Sequence, residues 1–338
     1  MHKKKFKPRP MEWLMRAAAF TGIAAILFIF VFVFMRAAPV IKNSGFGLIT
    51  KSTVAVEDEY SGEEKNLDFG RQLTSAFNSS AGEPFLTFGL LGLIAGTLLS
   101  TLLALAAAGI ISVGAAITIC ELAPKPVASA LLSVVRLMAS IPSVVFGLIG
   151  AMLVVPFVEN TFITVEMQID FLEFFQMTGR SLLSSAAVLT FMIAPTIITL
   201  TADALYSVPR AYKETGHAFG MTRFRIIQKI MLPASMPGII AGFILGAGRG
   251  IGEAIAVSMV CGGVAVIPTL THGAVALFTP ILPLSAAIVN KSEAMGVPAV
   301  ESALFACGAL LLVMGAIFSV AARFFVKRFT VGGRAHEI

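Results

Sequence analysis

The chain has 338 residues, of which 57% are hydrophobic and only 13% charged. Soluble globular domains carry about a quarter charged residues, so this composition excludes an ordinary soluble domain and predicts a polytopic membrane protein. The formal net charge of +6 does not indicate nucleic-acid binding, because the basic residues lie at the ends of the apolar segments. Cys120, Cys261 and Cys307 lie in apolar stretches with no CxxC spacing, which predicts small buried hydrophobes rather than a disulfide framework or a zinc site.

The hydropathy pattern predicts an all-α membrane protein with about six transmembrane helices. A helix rises 1.5 Å per residue, so about 20 apolar residues cross the roughly 30 Å hydrocarbon core. Six segments meet this length, at about 14–36, 86–119, 131–157, 181–203, 236–262 and 303–323. The first contains the apolar run Ala17–Met35, which is too long for a cleaved signal sequence and predicts an uncleaved signal anchor. Cleavage near Arg36–Ala38 is the alternative.

The distribution of charge predicts that both termini are cytoplasmic. With the N terminus inside, the inner segments are rich in lysine and arginine and the outer segments in aspartate and glutamate, as the positive-inside rule requires. We therefore divide the chain into a cytoplasmic N terminus with its anchor span (1–36), an extracytoplasmic segment (37–85), a transmembrane domain (86–326) and a cytoplasmic tail (327–338).

Two uncharged stretches are longer than a helix that crosses the membrane perpendicular to its plane. Residues 86–120 predict one long tilted helix, or a span with an outer extension. Residues 254–290 are broken by glycine and proline, and a seventh crossing there would move the C-terminal basic residues outside. We therefore expect an outward-side hairpin or re-entrant stretch over 263–290, covered by protein or water. The outer residues 158–179 mix aromatic and acidic side chains, which predicts either a segment along the membrane interface or a plain loop.

The polar segment between the fourth and fifth spans, here called loop 204–232, carries the longest fixed pattern in the chain. Its basic residues place it inside. Pro209 can begin a helix, Gly220 suits the left-handed residue that ends one, and Thr222 can cap the next. The segment therefore predicts two short helices around a tight turn.

The second of these helices is predicted to be amphipathic. Phe224, Ile227 and Ile230 recur at helical spacing and are expected on one face. Pro233 and Pro237 are expected to mark the bend into the fifth span. The loop would then be joined directly to that span.

Loop 204–232 resembles the EAA loop of ABC-importer permeases, which inserts into a cleft of the ATPase subunit. The matching pattern is Glu214-x5-Gly220-x9-Ile230-x-Leu232-Pro233. The two alanines that follow the glutamate in the family are Thr215 and Gly216 here. The resemblance implies that the pattern residues couple this chain to an ATPase.

The fifth span carries two charges, Arg249 and Glu253, which we predict to lie near the bilayer centre and on one helical face. A charged side chain there should face protein or water. Arg249 can meet an oxyanion in transit, because a guanidinium matches the geometry of such ions, with Glu253 moderating the interaction. The alternative is a self-neutralising pair that locks two helices.

Glycines follow two stripes along the same span. Gly238, Gly242, Gly246 and Gly250 recur every four residues, and Gly248 and Gly252 form a second, shorter stripe. Such stripes allow close helix contact, or leave room for a solute beside the backbone.

From Gly96 onward the chain resembles the phosphate-specific ABC permeases of the PstC type. The matching blocks include Glu121-Leu-Ala-Pro124, Ile141-Pro-Ser-Val-Val-Phe-Gly147 and Gly248-Arg-Gly-Ile-Gly-Glu253. Arg136, in the third predicted span, belongs to none of them, and we expect it to extend to the inner surface.

The resemblance implies a type I ABC-importer permease core in the bacterial inner membrane. Its implied partners are a homologous PstA-type permease, a PstB-type ATPase pair and an extracytoplasmic PstS-type phosphate-binding protein. The chain has no Walker A motif, so ATP hydrolysis is expected on the separate subunit. No catalytic residue, cofactor, metal or nucleic-acid partner is expected. Permeases for molybdate, tungstate or sulfate, and an ATP-independent channel or ion-coupled transporter, are the alternatives.

Overall fold

The computed structural model describes residues 10–51, 54–57, 64–67, 89–170, 177–268, 270–296 and 298–330. The α-helices in order are α1 (Pro10–Ser44), α2 (Gly47–Thr50), α3 (Leu91–Ile117), α4 (Lys125–Ser140), α5 (Ser143–Ile149), α6 (Val155–Phe162), α7 (Val165–Asp170), α8 (Leu182–Ser207), α9 (Arg210–Ala218), α10 (Arg223–Ile226), α11 (Leu232–Gly252), α12 (Ile255–Ser258), α13 (Leu284–Asn290) and α14 (Pro298–Thr330). One antiparallel strand pair joins β1 (Val54–Glu57) to β2 (Glu64–Leu67).

Three π-helical and two 3-10 segments complete the described elements. The π segments are Thr118–Leu122, Gly150–Val154 and Ile227–Met231, and the 3-10 segments are Leu270–Phe278 and Ser292–Ala294. Each π segment continues directly from one α-helix and, in two cases, into another. Three helical runs among the described residues therefore extend beyond the α-helices that they contain.

Six helical runs are long and apolar enough to cross a membrane among the described residues, as predicted. They cover Trp13–Ser44, Leu91–Leu122, Ser143–Phe162, Leu182–Ser207, Arg223–Gly252 and Val300–Ala321. The most buried run contains α8, which packs against both α3 and α11. Helix α1 lies at the periphery and packs mainly along α14. The fold is thus built around α8, and the predicted single long helix over 86–120 is confirmed from Leu91 onward.

The third predicted span, 131–157, is wrong because it combines parts of two helical runs. Helix α4 ends at Ser140, and Ile141 is extended, with φ −66° and ψ 131°. Pro142 explains the break, because its ring disfavours helical geometry in the preceding residue and it has no N–H to donate. The membrane-length run begins after the proline and extends to Phe162.

The fifth predicted span, 236–262, is also displaced. Its helix continues without a break from Arg223 through Pro233 and Pro237, so the prolines do not separate loop from span. The helix ends at Gly252, because Glu253 is extended, with φ −73° and ψ 116°.

The predicted irregular stretch after the fifth span is covered by protein. Gly262 and Gly263 have φ of +89° and +77°, which only glycine adopts without strain. They turn the chain so that the Ile281 N–H donates to the Cys261 carbonyl over 2.7 Å. The Leu284 N–H donates to the Thr97 hydroxyl over 2.9 Å. Ile281 and Leu284 are fully buried, so these two buried N–H groups are satisfied within the protein.

The two outer segments are described in part. Helix α1 runs past residue 36 to Ser44, so the first residues of segment 37–85 are helical, and the strand pair follows. In 158–179, Phe162 ends α6 and its ring stacks on Phe278 at 5.7 Å between centroids. Much of 58–88, all of 171–176, and the tail beyond residue 330 lie outside the described residues.

The cysteines fit the prediction of small hydrophobes. Cys261 and Cys307 are free and buried, and Cys120 is free and partly buried.

Candidate coupling and translocation sites

Loop 204–232 folds as two short helices around a glycine turn, as predicted. Pro209 precedes α9, and Gly220 follows it with φ +68°. The Thr222 hydroxyl caps α10 by accepting from the Arg225 N–H over 3.4 Å. The cap and the left-handed glycine fix the angle at which the two helices meet.

The predicted apolar face of the second helix is wrong in one position. Phe224 is 66% exposed, whereas the neighbouring Ile226 and Ile227 are buried. The α-helix lasts one turn before the π segment begins at Ile227, so a 3.6-residue period does not describe its inner face.

Close packing of α9 explains why this chain has Gly216 where the family pattern has an alanine. A Cβ added at Gly216 would lie 2.9 Å from Ile226 Cγ1 and 3.1 Å from Ile230 Cδ1. Ile230 therefore supports α9 from beneath, and Leu232 and Pro233 are the first two residues of α11. Glu214 is exposed on α9 and forms no ion pair with any described residue.

One ion pair, which no sequence pattern predicted, ties α9 to the π segment that follows α3. Lys213 Nζ donates to Glu121 Oε1 over 2.6 Å, and Glu121 is only 9% exposed. The partners are 92 residues apart, so no spacing rule connects them. The only available signal was that both lie in segments that match ABC permeases.

Aromatic side chains project from loop 204–232. Tyr212 is 50% exposed and Phe219 81% exposed, and Phe224 adds a third ring. Exposed aromatic side chains beside polar residues are typical of protein-binding surfaces.

A cavity of about 960 Å³ lies beside the C-terminal half of α11. Residues from α1, α8, α11 and α14 line it, including Val33, Thr196, Gly308 and Leu311. Its surface is mainly apolar, and Arg249 contributes its one charged side chain among the lining residues. The cavity lining thus places one cationic side chain, Arg249, in a mainly apolar environment.

Arg249 occupies the last turn of α11 rather than the middle of a span. Its Nη1 donates to the Thr196 hydroxyl at 3.5 Å, a long hydrogen bond. No carboxylate lies within ion-pair distance among the described residues. The guanidinium therefore retains most of its donors for another acceptor.

The predicted pairing of Arg249 with Glu253 is wrong. The helix ends before Glu253, so the two are not one turn apart on a continuous helix. The Glu253 carboxylate instead accepts from the Ala256 N–H over 3.2 Å, and its carbonyl accepts from the Ser285 hydroxyl over 2.7 Å. Glu253 thus holds the turn that joins α11 to α12 and α13.

The two glycine stripes do different things. A Cβ at Gly238 would lie 2.4 Å from Ala204 Cβ, and one at Gly242 would lie 3.3 Å from Leu200 Cβ, so the long stripe packs α11 on α8. Gly248 and Gly252 have open space at the Cβ position and line the cavity. One stripe thus allows close helix contact and the other borders open space; that a solute occupies this space stays a prediction.

Arg136 has a partner on another helix that the sequence pattern did not predict. Its Nη2 lies 3.5 Å from Asp203 Oδ1, with both side chains more than half exposed. The pair links α4 to α8 and lies outside the Arg249 cavity.

Residues 109–331 match the family of binding-protein-dependent transport system inner membrane components. The chain is 33% identical over 243 residues to the probable ABC transporter permease protein YqgH of Bacillus subtilis, covering 71% of this chain and 72% of that protein. It is 36% identical over 251 residues to phosphate transport system permease protein PstC 1 of Mycobacterium tuberculosis, covering 71% and 73%. The Mesorhizobium japonicum PstC is 32% identical over 249 residues, covering 71% and 74%.

Solved ABC transporters share the fold. A chain of the bacterial alginate ABC transporter, in complex with its alginate pentasaccharide-bound periplasmic protein, superposes with a TM-score of 0.55 and 16% identity, covering 97% of this chain and 99% of that one. A chain of the inward-facing MetNI methionine transporter gives 0.50 and 19%, covering 70% and 93%.

The chain belongs to the inner-membrane components of binding-protein-dependent transport systems. Its six helical spans form an ABC-importer permease core of type I.

Proposed function

We propose that this chain is a permease subunit of an ATP-driven importer for inorganic phosphate. Arg249 is the observation that carries the proposal, because it faces a cavity and no carboxylate of the described residues lies within ion-pair distance of it. The names of the relatives at 36% and 32% identity support phosphate as the cargo.

The surroundings of Arg249 suit an anion that must bind and then leave. In a mainly apolar cavity the attraction between a guanidinium and an oxyanion is stronger than in water. Besides this single cation, the lining offers only the hydroxyls of Thr196 and Ser319, which are fewer contacts than tight retention of an anion would need. Gly248 and Gly252 leave space beside the backbone, and Glu253 positions the turn that follows Arg249.

The path from loop 204–232 to Arg249 is one uninterrupted helix. Leu232 and Arg249 are 17 residues apart, or about 25 Å at 1.5 Å per residue. If an ATPase displaced the loop, helix α11 would therefore act as a rigid element and transmit that displacement to Arg249. In this proposal Glu214 and Gly220 dock with the ATPase, while Ile230, Leu232 and Pro233 transmit the motion.

The complete transporter requires other subunits. We propose a PstA-type permease, a PstB-type ATPase pair at loop 204–232 and a PstS-type binding protein outside. Both termini and segment 327–338 would be cytoplasmic, and segment 37–85 would face the binding protein. Segment 1–36 would anchor the chain, and residues 86–326 would form the transport domain.

The test is uptake by the assembled complex in proteoliposomes. We expect ATP-dependent entry of labelled phosphate that excess molybdate, tungstate or sulfate does not compete away. Arg249→Gln should abolish uptake while the complex remains assembled, and Arg136→Gln, which removes a cation outside the cavity, should leave uptake near the wild-type rate.

Three outcomes would contradict the proposal. Selective uptake of molybdate, tungstate or sulfate would make the chain a permease for that oxyanion. Uptake without nucleotide would indicate a channel or an ion-coupled transporter. Normal transport by Arg249→Gln would remove this arginine from the pathway.

A further inference from the structure

A second pocket lies beside loop 204–232 and has a volume of about 450 Å³. Its lining is more polar than that of the Arg249 cavity. It is separate from the Arg249 cavity and shares no lining residue with it. Three of its lining residues are basic: Lys125 on α4, and Arg210 and Lys213 on α9. Helix α8 adds Leu205 and Tyr206 to the lining, and the π segment after α3 adds Cys120. The pocket therefore concentrates positive charge where this π segment, α4, α8 and α9 meet.

The positive charge of the pocket is only partly neutralised. Lys213 is paired with Glu121 at 2.6 Å. Lys125 and Arg210 have no ion-pair partner among the described residues, and the nearby Asp203 is paired with Arg136. Two cations remain available to an external anion.

The local backbone adds to this preference. Lys125 is the first residue of α4 and Arg210 the first residue of α9, so the positive ends of two helix dipoles lie at the pocket. Ser129 and Tyr206 contribute hydroxyls to its lining. Cations, helix N termini and hydroxyls together match a group with several oxygen acceptors.

We propose that this pocket binds a phosphate group on the side of loop 204–232. The group would belong either to the headgroup of an anionic phospholipid or to free inorganic phosphate. Apolar Leu132, Leu205 and Val208 line the pocket as well, which would accommodate the glycerol and first acyl carbons of a lipid. The proposal does not depend on which solute the transporter carries.

Binding there would fix the coupling loop to the body of the protein. The ligand would bridge α4 and α9, adding to the tie that Lys213 makes with Glu121. Because α9 also carries Glu214, occupancy would restrict the movement of the helix that meets the ATPase. The site would thus act on coupling without lying in the pathway.

The first experiment tests the lipid source on the assembled permease–ATPase complex. The complex is reconstituted in nanodiscs of phosphatidylglycerol or of phosphatidylcholine, and retained lipid is counted by native mass spectrometry. We expect the double variant Lys125→Gln and Arg210→Gln to retain at least tenfold less phosphatidylglycerol at one site than the wild type. The control double variant Arg223→Gln and Lys229→Gln removes two charges from the same loop outside the pocket and should retain it.

The second experiment tests free phosphate. Labelled inorganic phosphate is bound to the complex in phosphatidylcholine nanodiscs without nucleotide, in an Arg249→Gln background, so that the pathway cation does not contribute. A loss of at least tenfold in affinity in the pocket variant, and not in the control, would assign free phosphate to the site.

The two experiments together decide the proposal. A loss in the lipid experiment identifies a headgroup, and a loss in the second identifies the free ion. If the pocket variant equals the wild type in both, the pocket binds no phosphate group and the proposal is overturned. If the double variant does not assemble, the single variant Lys125→Gln, at an exposed helix start, replaces it in both measurements.

Discussion

Alanine substitutions in the two glycine stripes of α11 should differ in their effect on stability. At Gly238 a new Cβ would lie 2.4 Å from Ala204 Cβ, whereas carbon atoms in contact prefer about 3.5–4.0 Å. The backbones of α11 and α8 must therefore move apart by more than about 1 Å, and overpacking of this kind costs about 1–3 kcal/mol. At Gly248 nothing lies within 4 Å of the new atom.

The difference between the two variants isolates the helix contact. Replacing glycine by alanine within a helix gains about 1 kcal/mol in intrinsic propensity at either position. We therefore expect Gly248→Ala to raise the melting temperature of the purified complex and Gly238→Ala to lower it or leave it unchanged. The difference should correspond to about 1–3 kcal/mol. A Gly238→Ala protein at least as stable as Gly248→Ala would refute the argument from close contact.

Transport by the same variants tests the cavity. Gly248→Ala narrows the space beside Arg249, so uptake should fall although stability rises. Gly114→Ala, in α3, also has open space at its Cβ and does not line the cavity, so it should gain stability without losing uptake. Normal uptake by Gly248→Ala would show that the short stripe does not border the solute.

Three further predictions concern single polar contacts. Thr97→Val should destabilise the protein by about 1–3 kcal/mol, because it leaves the buried Leu284 N–H without an acceptor, as thermal unfolding in detergent would show. Lys213→Met should lower the melting temperature, since Glu121 is 9% exposed and would lose its counter-charge, and adding Glu121→Gln should restore much of the loss. Glu214→Lys should weaken co-purification with the ATPase subunit while membrane insertion is preserved.

Each of these predictions has a control variant or an outcome that would contradict it. Ser133→Ala removes an exposed hydroxyl bonded within its own helix and should change stability by less than about 0.5 kcal/mol. A double variant of Lys213 and Glu121 no more stable than Lys213→Met would mean that the pair does not explain the effect. Gln228→Lys adds a charge to the same loop without altering the glutamate. If Glu214→Lys lowers uptake but leaves association intact, Glu214 has a role other than docking.

Local chemistry made the glycine turn of loop 204–232 predictable. A left-handed residue at Gly220 and a hydroxyl cap at Thr222 depend on adjacent backbone groups, so the sequence contains the information. The register of the second helix was not predictable in this way. The α-helix Arg223–Ile226 lasts one turn before the π segment Ile227–Met231, and within that turn Ile226 is buried while Phe224 is exposed.

The boundaries of two spans show a second limit of prediction from sequence. The sequence is strongly apolar on both sides of Pro142 and of Glu253, but the helical backbone hydrogen bonding is interrupted at both positions. Pro142 cannot continue a helix, and its effect on Ile141 was available from the sequence. No comparable signal marks the end of α11 at Gly252, because Glu253 leaves the helix to accept from Ala256 and to bind Ser285.

The sequence by itself determined the class of protein, the number of spans and the pattern of loop 204–232, because composition, helical length and turn chemistry are local properties. Tertiary structure alone decided which charges are paired. Arg249 is free of Glu253, Lys213 is held by Glu121 and Arg136 by Asp203, and Lys125 joins Arg210 at one pocket. These arrangements join residues far apart in the chain, so they follow from helix packing and not from sequence spacing.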